Sequence, residues 1–201
     1  TVLENKYDNG FALVRPPGHH CDGEKYSGYC YINNTAVAIE KQLNQDTRVL
    51  VLDIDVHHGD GTQKLFYNES TVLTVSFHQY DGHFFPSSGL RTEYGPSRRH
   101  AAYGTNVNIP LGKQASDLDV LYSLRKMVWK IVEKFKPDIA YYAVGTDGIA
   151  GDKANNATIF TPGLYGQIAY ELQDYVNLIV VTTEGGYTTK FLAAGGRSVF
   201  H

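Results

Sequence analysis

Residues 51–63 read VLDIDVHHGDGTQ and place three aspartates and two histidines at the end of an apolar run. The run that begins at Val49 predicts a strand entering a core, where unpaired charge is costly. Something must compensate for so many titratable groups at the end of a buried strand. A bound metal ion is the obvious candidate.

Alternate residues of a strand share a face, so Asp53, Asp55 and His57 are predicted to project together. Two of them can ligate one ion, and Asp147, which follows the apolar run YYAVGT, offers a carboxylate at another predicted strand end. Two aspartate oxygens and one histidine nitrogen suit zinc and leave a position open, as in catalytic sites. The alternative is that Asp55 and His57 only cap the turn HHGDGTQ.

The segment RPPGHH, residues 15–20, stiffens and then turns the chain before presenting His19 and His20. A neutral imidazole suits a general base near pH 7, and a carboxylate on its far ring nitrogen would fix its tautomer. Asp53 and Asp60 are the spare carboxylates for that role. The alternative is a pair of surface histidines in a loop.

Apolar runs of strand length alternate with helical patterns along the chain. This alternation predicts an α/β fold of three layers, α/β/α, with a mostly parallel sheet covered on both faces. Strands are predicted at 10–14, 48–55, 72–77, 138–145 and 177–184, helices at 33–45, 116–135, 163–176 and after Gly186, and a long irregular loop from His78 to Asn106.

Polar clusters follow each of the five predicted strands, and in a parallel sheet the ligand site lies at the carboxyl ends of the strands. We therefore expect these clusters to meet in one crevice. They are His19–His20, Asp53–Asp60, His78, Asp147 and Glu184–Tyr187.

Length, composition and net charge limit the classes of protein to which this chain can belong. With 201 residues, 42% of them hydrophobic, the chain is predicted to form one domain over 1–201. The net charge of -3, from 18 basic and 21 acidic residues, argues against nucleic-acid and membrane partners and mildly favours cationic ones. Cys21 and Cys30 form no Cys-x-x-Cys pair, and no signal or membrane-spanning run is present in the sequence, so we expect a cytoplasmic protein.

Six segments, in order from about Phe11 to Tyr187, resemble the zinc-dependent histone deacetylase family, which includes acetylpolyamine amidohydrolases. The resemblance implies an arginase-like α/β fold and zinc-dependent hydrolysis of an N-acetyl amide, on lysine or on a polyamine. The segments are LVRPPGHH, SGYCYINN, LDIDVHHGDGTQ, VSFHQYDGHFFPSSG, VGTDGIAGD and EGGY.

The resemblance also implies a set of ion ligands. It assigns zinc to Asp55, His57 and Asp147, in agreement with the spacing argument. It further suggests a potassium ion bound by backbone carbonyls around Asp53, Asp55 and His57 together with Ser76.

The resemblance to the family also implies catalytic roles for residues of this sequence. His20, hydrogen-bonded to Asp60, would act as general base and then as general acid, while the zinc polarises the acetyl carbonyl and activates water. His19, hydrogen-bonded to Asp53, would give electrostatic support. Tyr187 would donate its hydroxyl to the developing oxyanion.

The acyl-lysine tunnel of the family is implied at Gly28, Tyr29 and Phe85, although both rings could instead be core aromatics. Ile149 stands where the dinuclear arginases carry a second metal-binding aspartate, which favours one catalytic ion. Glu184 before Gly-Gly-Tyr resembles bacterial and class II-like members.

Only eighteen residues precede His19, fewer than the family carries there. We expect either a fragment or a short natural form whose exposed sheet edge is covered in a homo-oligomer. Two alternatives to a working deacetylase stay open at this point: a truncated zinc-binding and acyl-lysine-binding protein without turnover, and a dinuclear ureohydrolase.

Overall fold

The computed structural model describes residues 9–43, 47–155 and 158–199. Within this part of the chain, six strands form one sheet in which every neighbouring pair is parallel. The strands are β1 (Asn9–Ala12), β2 (Val49–Asp53), β3 (Val72–Gln79), β4 (Asn106–Leu111), β5 (Ile139–Val144) and β6 (Ile179–Thr183). Their order across the sheet is β1-β6-β5-β2-β3-β4.

Helices connect the strands. They are α1 (Asn34–Glu40), α2 (Asp60–Phe66), α3 (Asp117–Ser123), α4 (Trp129–Phe135), α5 (Pro162–Leu172) and α6 (Thr189–Ser198). A π-helical turn, Leu124–Val128, joins α3 to α4 in one helical stretch, and a short 3-10 turn, Thr146–Gly148, follows β5.

Local sequence sets where several helices begin. The side chain of Asn33 accepts the N–H of Ala36 at 2.9 Å and caps α1. Ser116 and Asp119 form a reciprocal capping box at the start of α3, and Pro162 opens α5 at a position where no N–H donor is needed.

Alternating side chains of each strand divide the core into two layers. Val49 and Val51 of β2 pack with Ile39 of α1 and Phe66 of α2 on one face of the sheet. Even-numbered positions of the same strand, such as Leu52, pack on the other face with residues of α3, α4 and α5. The predicted three-layer α/β/α fold with a parallel sheet is therefore confirmed.

The structure corrects several predicted elements. Strand β4 was not predicted because it follows a long loop and contains Pro110, which an edge strand tolerates. Helix α2 was not predicted, because Asp60 lies between two glycines and HHGDGTQ was considered only as a turn. The predicted strand 48–55 ends at Asp53, and the predicted helix 33–45 is shorter, although 44–46 lie outside the described residues.

Among the described helices, none is long and apolar enough to cross a membrane.

Leu52 tests the position of the core. Its side chain is 1% exposed, so Leu52→Ala should lower the free energy of unfolding by about 2–5 kcal/mol. Leu118, which is 77% exposed, is the matched control, and Leu118→Ala should change it by less than about 0.5 kcal/mol. Urea denaturation measures both values, and two equally stable variants would contradict the placement of Leu52.

Candidate active site

Four neighbouring strands bring their following loops to the same edge of the sheet. The order β1-β6-β5-β2 aligns the loop with His19 and His20, the loop with Tyr187, the 3-10 turn with Asp147, and the loop with His57. Parallel strands end on one side, so these side chains meet in one crevice, as the sequence predicts.

Asp55, His57 and Asp147 form a group that could hold a metal ion. Each offers one ligand atom, and the three atoms lie within 4.8 Å of one another. The Nδ1 atom of His57 is 3.0 Å from Oδ1 of Asp55 and 3.1 Å from Oδ2 of Asp147. Both aspartates are 0% exposed. Two carboxylates and an imidazole are a donor set that fits zinc.

Backbone N–H groups, and not the face of a strand, orient these ligands. Strand β2 ends two residues before Asp55, so the predicted sharing of a strand face by the aspartates and His57 is wrong. Instead, the N–H of Gly185 donates to Oδ2 of Asp55 at 2.7 Å, and the N–H of His57 donates to Oδ1 at 2.9 Å. The N–H of Val56 donates to Oδ1 of Asp147 at 3.1 Å.

The pKa values in this group show that its two buried carboxylates are stabilised by a positive charge beside them. Burial, helped by the charge of Asp55, raises the pKa of Asp147 to about 6. Burial would lower the pKa of His57, but its hydrogen bonds to Asp147 and Asp55 outweigh that effect and raise the pKa to about 10. A proton on His57 therefore lies between the two carboxylates, where a metal ion would replace it.

His19 and His20 each bind a carboxylate through Nδ1. The distance to Oδ2 of Asp53 is 2.9 Å for His19, and the distance to Oδ1 of Asp60 is 2.6 Å for His20. A proton on each Nδ1 would satisfy these carboxylates and leave Nε2 of His20 able to accept a proton.

The two histidines differ in protonation. Burial would lower the pKa of His19, but the charges of Asp55 and Asp53 outweigh it and raise the pKa well above the usual value. Burial and the charge of His19 lower the pKa of His20, against its bond to Asp60. The arrangement pairs a cationic imidazole with a neutral one.

Glu184 fixes the histidine loop to the loop after β6. Its Oε2 atom accepts the N–H of Gly18 at 2.7 Å and the N–H of His19 at 3.1 Å. Burial raises the pKa of Glu184 to about 7. The sequence placed Glu184 in a polar cluster at a strand end and marked it as a subfamily feature, but no structural role was predicted for it.

A cavity of about 530 Å³ opens beside the metal-binding group, with His20, His57 and Tyr187 on its wall. Gly28 and Tyr29 also line it, at the centre of a tight turn in which both residues have positive φ, 50° and 66°. A side chain at Gly28 would collide with the ring of His20, so only glycine fits there.

Aromatic rings form the outer wall of this cavity. The ring of Tyr29 is 5.9 Å from that of Tyr187, and the ring of Phe85 is 5.0 Å from that of His20. Tyr29 is 72% exposed and Phe85 is 45% exposed, so both rings border solvent and are not core aromatics. Phe84, which sequence reasoning missed, stacks on His57 at 4.9 Å and 10°.

Tyr187 is held at the cavity by its backbone. Its N–H donates to Oδ2 of Asp152 at 3.1 Å, a carboxylate that sequence reasoning left without a role. Burial, followed by the charges of Asp55 and Asp147, raises the pKa of Tyr187 above its usual value. The phenol therefore stays protonated and can donate a hydrogen bond.

His78 does not join the crevice, and this prediction is wrong. Strand β3 continues to Gln79, so His78 lies inside the sheet and is 0% exposed. Its Nδ1 atom is 3.0 Å from Oγ of Ser76, and its Nε2 atom is 2.9 Å from the carbonyl oxygen of Gly89. His78 therefore anchors the loop that carries the two phenylalanines.

The fold and this group of side chains define a class, an α/β protein with a histidine- and carboxylate-rich candidate metal site at the ends of parallel strands. The histone deacetylase domain family matches residues 1–201. Histone deacetylase 4 of Caenorhabditis elegans is 36% identical over 200 residues, covering 96% of this chain and 23% of that protein. Histone deacetylase HDA1 of Saccharomyces cerevisiae is 34% identical over 207 residues, covering 98% of this chain and 29% of that protein.

A solved structure agrees with these sequence matches. The crystal structure of the HDA15 HD domain superposes with a TM-score of 0.92 at 34% identity, covering 99% of this chain and 58% of that one. The chain belongs to the histone deacetylase domain family. It spans between 20% and 30% of the length of the curated relatives it matches.

Gly185 tests how closely the ligands are packed. A Cβ atom there would run into the carboxylates of Asp147 and Asp55, so Gly185→Ala should weaken zinc binding by about 10- to 100-fold. Gly196→Ala is the control, because a Cβ atom there meets nothing within 4 Å. Competition with a zinc-chelating dye measures both affinities, and equal values would contradict the described packing.

The proton on His57 gives a second test. Because the pKa of His57 is raised to about 10, this imidazole is protonated at pH 7 without metal. Zinc must displace that proton, so affinity should rise with pH and about one proton should be released per zinc at pH 7. Calorimetry in two buffers with different ionisation enthalpies counts the protons. Binding without proton release would contradict a proton on His57 that zinc displaces at pH 7.

Proposed function

We propose that this chain is the catalytic part of a zinc-dependent deacetylase that hydrolyses the acetyl amide of lysine side chains. The observation that carries the proposal is the convergence of His57 of the metal-binding group, His20 and Tyr187 on one cavity. The family membership supports hydrolysis of an acetyl amide in general terms.

Asp55, His57 and Asp147 would hold the zinc ion, which supplies Lewis-acid activation of the acetyl carbonyl when bound. The residues of the chain supply the remaining steps. Nε2 of His20 takes a proton from the water that attacks the carbonyl carbon. As the C–N bond breaks, His20 returns a proton to the departing amine, so acetate and a free amine are formed.

The neighbouring groups stabilise charge during these steps. Asp60 holds the tautomer of His20 and stabilises its protonated form. His19, whose pKa is raised by the charges of Asp55 and Asp53, balances the negative charge of the site. The hydroxyl of Tyr187 donates to the oxygen that becomes negative in the transition state.

A single catalytic ion fits the surroundings better than two. Ile149, which follows the 3-10 turn bearing Asp147, is apolar and 2% exposed, so it offers no ligand for a second metal. This observation disfavours a dinuclear ureohydrolase.

Several features of the proposal rest on the sequence alone. They are one catalytic domain over 1–201, a potassium ion near Asp53, Asp55, His57 and Ser76, a cytoplasmic location and a homo-oligomer. Free, buried Cys21 and Cys30 are compatible with a reducing compartment. Strand β1 lies at the edge of the described sheet, where a second subunit could cover it.

Tyr187→Phe is the sharpest test of the proposed reaction. Loss of the oxyanion donor should lower kcat by about 10²- to 10³-fold on an acetyl-lysine peptide. Zinc content should stay at the wild-type level, because the substitution removes none of the ligand atoms of Asp55, His57 and Asp147.

Tyr170→Phe is the matched control, since Tyr170 is 71% exposed on α5 and should keep full activity. Turnover followed by mass spectrometry of the peptide, with zinc content measured in parallel, gives the comparison. A fully active Tyr187→Phe variant would remove Tyr187 from the mechanism. A zinc-loaded wild-type chain without turnover would favour a binding protein that does not catalyse.

A further inference from the structure

Lys153 brings an ammonium group to the cavity beside the proposed metal site. Among the described residues that line this cavity, none is an aspartate or glutamate. Lys153 is exposed, and its ammonium group makes no ion pair within the described parts of the chain. Its charge is therefore available to whatever enters the cavity.

The turn that carries Lys153 is fixed to the loop of Tyr187. Asp152, which is 4% exposed, accepts the N–H of Tyr187 at 3.1 Å and the N–H of Ala154 at 3.0 Å. The side chain of Asn155 also donates to the carbonyl oxygen of Gly148 at 2.9 Å. The backbone on both sides of Lys153 is thus tied to the site.

The carboxylates near the cavity already have partners within the site. Asp55 and Asp147 are buried around the proposed zinc ion, and Asp60 is paired with His20. The carboxylate of Asp152 is occupied by two backbone N–H groups. A substrate at the mouth of the cavity therefore meets the uncompensated charge of Lys153.

We infer that Lys153 determines specificity by selecting acetyl-lysine within acidic peptide segments and by disfavouring acetylated polyamines. This inference rests on the proposed deacetylase function and names its substrate class. An acetylated polyamine keeps cationic amines close to the amide, and Lys153 repels them. Aspartate or glutamate beside the acetyl-lysine is attracted to the same ammonium group.

The local charge outweighs the net charge of the chain. The value of -3 is the sum over all 201 residues, and exposed charges farther from the cavity than the screening length of about 8 Å at physiological salt have little effect there. Lys153, in contrast, lines the cavity itself. We expect acidic peptides to exceed basic ones by about 5- to 20-fold in kcat/KM, and the ratio to fall as salt rises.

The test uses the zinc-loaded chain with three acetyl-lysine peptides that differ only in flanking residues, which are aspartate, serine or lysine, and with acetylputrescine. Lys153→Glu should reverse the order of acidic and basic peptides and improve acetylputrescine relative to the serine peptide. Lys130→Glu, an equal charge change at an exposed position of α4 outside the cavity, should keep the wild-type order.

Binding of the same peptides, measured by fluorescence anisotropy, separates this inference from the proposed function. An acidic preference in Kd without turnover would support charge selection and overturn deacetylation. Turnover with equal kcat/KM and equal Kd for all flanks would overturn charge selection and leave deacetylation standing. An acidic preference that survives Lys153→Glu would overturn the role of Lys153, and neither binding nor turnover would overturn both proposals.

Discussion

The repulsion between two buried carboxylates is the constraint on which the rest of the structure depends. Asp55 and Asp147 follow the neighbouring strands β2 and β5, both are 0% exposed, and their oxygens approach the same imidazole. Two ionised carboxylates at such a place require a cation or a proton between them. The proton on His57 and the proposed zinc ion would each supply the positive charge that these two carboxylates require.

The loops around this pair are joined by backbone N–H groups that donate to carboxylates. The N–H of Gly185 reaches Asp55, the N–H groups of Gly18 and His19 reach Glu184, and the N–H of Tyr187 reaches Asp152. These bonds link loops far apart in sequence at the ends of four adjacent strands. A site built in this way is held in position before a substrate arrives, which is what electrostatic catalysis requires.

The sequence predicts those parts of the structure that depend on pattern. Apolar runs define the sheet, and the strand-end rule brings together the loops of Asp55, Asp147 and Tyr187 because every strand pair is parallel. The sequence is less informative where a shift of one or two residues at a strand end decides whether a side chain lies in the site or inside the sheet. Strand β3 runs two residues longer than predicted, and this places His78 inside the sheet.

Other roles depend on contacts that no sequence pattern displays. Glu184 and Asp152 matter because of the N–H groups they accept, and these groups belong to loops distant in sequence. Lys153 matters because the fold turns it toward the cavity. The residue types alone do not distinguish these three from ordinary surface charges.

X-ray absorption at the zinc edge tests the central claim, that Asp55, His57 and Asp147 form a catalytic zinc site, most directly. For the zinc-loaded chain we predict one ion per chain with one imidazole nitrogen and only oxygen atoms otherwise, at about 2.0–2.2 Å. A sulfur shell at about 2.3 Å, from Cys21 or Cys30, or a second imidazole would contradict the assigned ligand set.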